Sequence, residues 1–131
     1  MEWNPNTNPD APTYTGTPRN ATKGIETRLI FGRSIPHGPQ LGETVTDYSV
    51  RAFLDSFVLP RFPSGFTVTE SRGVWKGGQE DSFAVSVIYT NTPLVTKKFG
   101  VRLEEIRAEY IRIFHQESVL RIDTPVTYSF D

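Results

Sequence analysis

Chemistry in this chain would have to come from two histidines, a serine preceding a glycine, a Pro/Gly-rich loop and a scatter of arginines and carboxylates. His37 sits inside SIPHGPQLGET and His115 at the end of a helical pattern, neither with Asp or Glu at the spacing a zinc or iron centre needs, so no metal is expected. His37 reads as a solvated loop residue and His115 as a partner of the negative end of a helix. Ser64-Gly65 lacks the flanking G-x-S-x-G of a nucleophile elbow, and Gly38 to Gly42 lacks the G-K-[ST] of a phosphate loop, so both read as turns. No carboxylate pair stands out as acid and base. Cysteine is absent, which removes disulfides, thiolate metal sites and a cysteine nucleophile. No cofactor is expected.

The best candidate ligand site gathers Arg33, Arg61, Trp75, Glu117 and Arg121, because guanidinium groups beside an indole suit a carboxylate or phosphate ligand. The plainer reading has Glu117 fasten one of these arginines while Trp75 packs as core, and tryptophan more often packs than serves as a platform.

The totals bound the partners. With 14 Lys+Arg against 15 Asp+Glu, the net charge of -1 gives no field toward nucleic acid or anionic membrane. The aromatics fall mostly on core stripes rather than on a basic surface, so no nucleic acid partner is expected. Neither a secretory signal nor an apolar run of the ~20 residues needed to span a bilayer is visible, so no membrane partner is expected and the location reads as cytoplasmic or virion. At 131 residues the chain fits one domain of ordinary core size.

Glu26 to Arg33 reads as a central strand with an apolar middle. After the loop, Thr46 is a plausible N-cap, and Val50, Phe53, Leu54, Phe57 and Val58 recur at helical spacing until Pro60 and Pro63 end the helix. Phe66 to Glu70 alternates as a half-buried strand, SRG suggests a bulge at Gly73, and Lys76 to Asp81 reads as the turn before a strand from Phe83 to Tyr89. A second helix starting near Thr96 aligns Phe99, Leu103, Ile106, Tyr110, Ile113 and Phe114 on one stripe. Ser118 to Phe130 reads as a strand, or two short ones, that Pro125 confines to an edge or a bulge. The order β-α-β-β-α-β predicts an α+β ferredoxin-like sandwich, an antiparallel sheet with both helices on one face and the other face open.

The segments LIFGRS, AFLD, PRFPSGFTV, GVW and QESVLR resemble the uncharacterised bacterial family known as domain of unknown function 3574, over roughly residues 28 to 130. The resemblance implies this same fold. It carries no catalytic set, and the export segment that precedes the domain in many members is replaced here by a polar arm.

Residues 1–24 form that arm, leaving 25–131 as the domain; the arm is rich in Pro, Asn and Thr and too poor in apolar residues to order itself. Trp3 and Tyr14, with Pro5, Pro9 and Pro12, look like anchors for grooves on another chain. The resulting expectation is a non-catalytic structural or interaction protein, strapped by its arm to the same or a different chain in an oligomer or larger assembly. A phage virion component, as capsid decoration, neck or tail, fits that picture, with the open sheet face as a further contact. The alternative is a small-molecule-binding protein or enzyme using the Arg/Trp/Glu cluster.

Overall fold

A computed structural model describes residues 16–75 and 77–130, the side chain of Trp75 excepted. Its elements are β1 (Thr22–Gly32), α1 (Asp47–Phe53) continued by a π-helical turn (Leu54–Val58), β2 (Thr67–Trp75), β3 (Gly78–Thr90), α2 (Pro93–Phe114) and β4 (Leu120–Tyr128). The strands pair antiparallel in the order β2-β3-β1-β4, which is the ferredoxin-like arrangement that the element order predicts. Both β1 and β3 are central.

Side chains alternate across this sheet as the pleat requires. Leu29 and Phe31 of β1, with Phe83, Val85, Val87 and Tyr89 of β3, turn toward Leu103, Ile106 and Tyr110 of α2 and form one buried cluster. Phe31 is its hub: its ring stacks on Phe83 at 4.7 Å and meets the edges of Tyr110 at 4.7 Å and Phe53 at 5.8 Å. Thr27 is buried in the same layer, where its hydroxyl donates to Asp123 Oδ1 at 2.6 Å and accepts from the Tyr89 hydroxyl at 2.7 Å. The opposite face lacks a helical layer. Ile88, Leu120 and Ile122 lie there 47 %, 54 % and 37 % exposed.

Several boundaries differ from the sequence expectation, each for a local reason. β1 begins at Thr22, so the last residues assigned to the arm pair with Tyr128 and Thr127 in the sheet. No bulge forms at Gly73; it pairs with Glu80 in an unbroken register, and the hairpin closes at Trp75 and Gly78 rather than across the wider turn expected. α2 starts at Pro93 because Thr92 caps it, its hydroxyl accepting from the Val95 amide, and proline is at home where no amide donor is needed. β4 is one continuous strand, and Pro125 sits within it because it occupies the sheet edge. The first helix widens at its end: the Leu59 amide reaches back to Leu54 O, and Arg61 donates to the Phe57 carbonyl. Pro5, Pro9 and Pro12, with Trp3 and Tyr14, lie outside the described residues.

Gly24 is required by packing. A Cβ there would come within 2.5 Å of Tyr128 Cε1 and 2.6 Å of the Tyr89 carbonyl oxygen, and the latter is backbone that cannot swing aside. Gly24→Ala is therefore expected to cost about 1–3 kcal/mol in urea unfolding, as for other overpacked sites. An unchanged unfolding midpoint would contradict this reading of the β1–β3–β4 contact.

Candidate ligand cleft

At the end of the open face where β1 stops, a cleft of about 550 Å³ opens between three segments. Ile30, Gly32, Ser34 and Pro36 form its floor, Gly73, Val74, Glu80 and Ser82 of the β2–β3 hairpin one wall, and Gln116 to Leu120 the other. The sequence reads Ser34 to Thr44 as a loop of breakers; in the structure it is a tightly pinned excursion. Val45 N–H donates to Arg33 O at 2.7 Å and Ile35 N–H to Glu43 O at 3.0 Å, while Ile35 and Val45 are buried. Gly38 and Gly42 take positive φ of 89° and 85°, which glycine adopts without strain. A side chain at Gly38 would also meet the ring of His115, with Cγ at 2.9 Å.

Gly32 fixes the cleft's geometry from two directions. The Tyr110 hydroxyl donates to its carbonyl at 2.6 Å from the helix side. From the open side, the Glu80 carboxylate occupies the position a Cβ on residue 32 would take, and it accepts from the Ser34 amide at 3.1 Å. Burial pushes the Tyr110 hydroxyl pKa well above its ordinary value, Arg33 opposing and Glu80 reinforcing the shift, so this group stays a neutral donor.

The opposite wall is set by the end of α2. His115 closes the helix in the left-handed conformation with φ 52°, and the amides of His115 and Gln116 both return to Ile111 O. This turn aims Gln116 into the cleft wall. Its Nε2 donates to Ser34 O at 2.9 Å and to Phe114 O at 3.2 Å. His37 and His115, far apart in sequence, have ring centroids 5.9 Å apart. Among the described residues no group of three or more His, Asp or Glu is placed to hold a metal ion.

Of the five residues singled out from sequence, Glu117 lines this cleft. The three arginines are engaged elsewhere. Arg33 donates to Val45 O and to Asp47 at 2.8 Å, Arg61 reaches Glu105 at 3.4 Å, and Arg121 bridges Glu104 at 3.0 Å and Asp123 at 3.1 Å. Glu117 pairs with none of them, and the Trp75 side chain lies outside the described residues. Ser34, Glu80 and Gln116 carry no signal in the sequence: each is an ordinary polar residue in its local pattern, and only the β1–β3 register and the helix-ending turn bring them together. Glu80 and Glu117 have no cationic partner among the described residues.

A matching family model covers residues 26–130, described as a protein of unknown function, DUF3574. The chain belongs to that family. No curated protein matches the DUF3574 chain described here. Among solved structures, it is similar to a phage SAM lyase in complex with S-methyl-5'-thioadenosine, with TM-score 0.55, 17% identity, and 81% of this chain and 89% of that chain covered. It is also similar to a phage SAM lyase in the apo state, with TM-score 0.52, 20% identity, and 81% and 87% covered. At these identities the likeness is one of fold. The expectation of a non-catalytic virion or structural component is nevertheless overturned: both of these solved structures are of an enzyme, and the small-molecule or enzyme alternative fits them better. Among the described residues, no helix is long and apolar enough to cross a membrane.

The Arg121 network makes a separate pH prediction. Burial alone would raise the Glu104 carboxyl pKa, but hydrogen bonds and charges from Arg107 and Arg121 outweigh it and hold the group below its usual 4.5. Its stabilising contribution is thus present above about pH 4.5 and fades as pH falls through the lowered folded value. Glu104→Gln is expected to destabilise at pH 7 by less than about 1 kcal/mol, since the pair is half exposed, and the deficit should vanish near pH 2–3. A deficit that persists in acid would contradict an electrostatic origin.

Proposed function

We propose that this DUF3574 chain is a small-molecule enzyme whose cleft takes an adenosyl sulfonium compound, S-adenosylmethionine in the first place. The observation that carries this reading is the charge of the cleft: its charged lining residues, among those described, are the unpaired carboxylates Glu80 and Glu117. Such a site favours a cation, the opposite of the carboxylate or phosphate ligand that the arginines suggest in sequence. Ile30, Pro36, Val74 and Leu120 add apolar walls suited to a ring, and the volume lies within the usual range for ligand sites. The fold neighbours support the same ligand class, since one was solved with S-methyl-5'-thioadenosine bound.

The chemistry constrains what each carboxylate does. Cleaving the carbon–sulfur bond to the amino-acid arm leaves the electron pair on sulfur and erases its positive charge, while the released carbon bonds to the substrate's own carboxylate oxygen, closing a lactone with no other reactant. Glu80 and Glu117 therefore attract the charged substrate and lose that attraction to the neutral thioether product, which favours release. Because this attraction weakens as the charge on sulfur is lost toward the transition state, it does not speed bond cleavage, and Glu80 acts in binding.

Calorimetric titration should show the wild type binding S-adenosylmethionine more tightly than methylthioadenosine, and chromatography should show the latter accumulating. Glu80→Gln should weaken the cation at least about ten-fold, in keeping with a lost charge-assisted contact, and leave methylthioadenosine affinity within about two-fold. A folded wild type that neither binds nor converts S-adenosylmethionine at millimolar concentration would overturn the proposal.

A further inference from the structure

Gln116 is 8 % exposed, opens the QESVLR segment and lines the cleft. Its amide orientation is decided by its surroundings: Nε2 faces the carbonyls of Ser34 and Phe114, and only the nitrogen end can donate to them. Both of its N–H bonds are thereby used. Oε1 accepts from no described residue, and because no buried side-chain polar atom lacks a partner among the described residues, this oxygen keeps contact with solvent. The outcome is a side chain more than nine-tenths buried, locked at one end, with one unused acceptor in a residue that lines the cleft. A bound ligand that covered it without offering a donor would leave a buried acceptor unmatched.

We infer that Gln116 Oε1 selects the exocyclic amine of an aminopurine, so that the cleft discriminates adenine from 6-oxopurines. This rests on the nucleoside reading proposed above. The carboxylates Glu80 and Glu117 suit the cationic end of the ligand, leaving the neutral acceptor for a neutral donor. Ile30, Pro36 and Leu120 supply apolar surface for the base. Because the Gln116 amide cannot flip without setting its oxygen against two carbonyls, it cannot adapt to a 6-oxo group, which would place acceptor against acceptor.

The test compares methylthioadenosine with its 6-oxo counterpart, methylthioinosine, and with the purine analogue lacking the 6-substituent, by calorimetry on the full chain. The amino compound should bind at least about ten-fold more tightly than the oxo compound, with the unsubstituted purine between them. In Gln116→Met the ratio of amino to oxo affinities should collapse to within about two-fold. Should that variant fail to fold, the wild-type series still decides. Equal affinity for the three nucleosides, or an unchanged ratio in a folded Gln116→Met, overturns this inference and leaves the proposed ligand class standing. Binding of none of them, nor of S-adenosylmethionine, overturns both.

Discussion

Gly32 is held on one side by a buried phenol and on the other by a carboxylate, and the cleft is a consequence of that double contact. The Tyr110 hydroxyl ties the end of β1 to α2, in the same ring cluster that packs Phe31 against Phe83 and Phe53. Glu80 can reach the Ser34 amide because residue 32 has no side chain in its way. Any larger residue would have to displace the carboxylate, and this wall of the cleft would lose its contact with Ser34. Core packing and site chemistry therefore meet at a single backbone position.

The distribution of charge follows from how the arginines are used. Arg33 is drawn toward the first helix by Asp47, Arg61 toward Glu105, and Arg121 toward Glu104 and Asp123, all on the helix side or its margins. Residues on β1 and β4 alternate faces, so Arg121, opposite Leu29, turns to the helices, while Leu120, opposite Ile30, turns to the open face. The parity of a single strand thus separates Arg121 from the cleft that its neighbours line. The charged residues left to line the cleft, among those described, are Glu80 and Glu117.

The fold was largely legible because its signals are periodic. The apolar stripe from Phe99 to Phe114, the alternation from Phe83 to Tyr89 and the proline at 125 each carry their own geometry, and together they dictate the sheet order. Caps and turns are less legible: Thr92-Pro93 starts α2 earlier than the hydrophobic period implies, and the unbroken β2 strand shows that SRG is compatible with regular pairing. The candidate site was scarcely legible. Glu80 and Gln116 matter through a cross-strand approach and a left-handed helix end, and neither leaves a spacing pattern in the chain. Arg33, Arg61 and Arg121, by contrast, are conspicuous in a sequence and are here occupied by ion pairs.

Amide chemical-shift mapping during titration with S-adenosylmethionine locates the ligand directly. The largest perturbations are expected on the backbone amides of Gly32 and Ser34 and on the Gln116 side-chain amide. Perturbations centred instead on the groove between α1 and β2, at Arg51, Leu54 and Glu70, would contradict it.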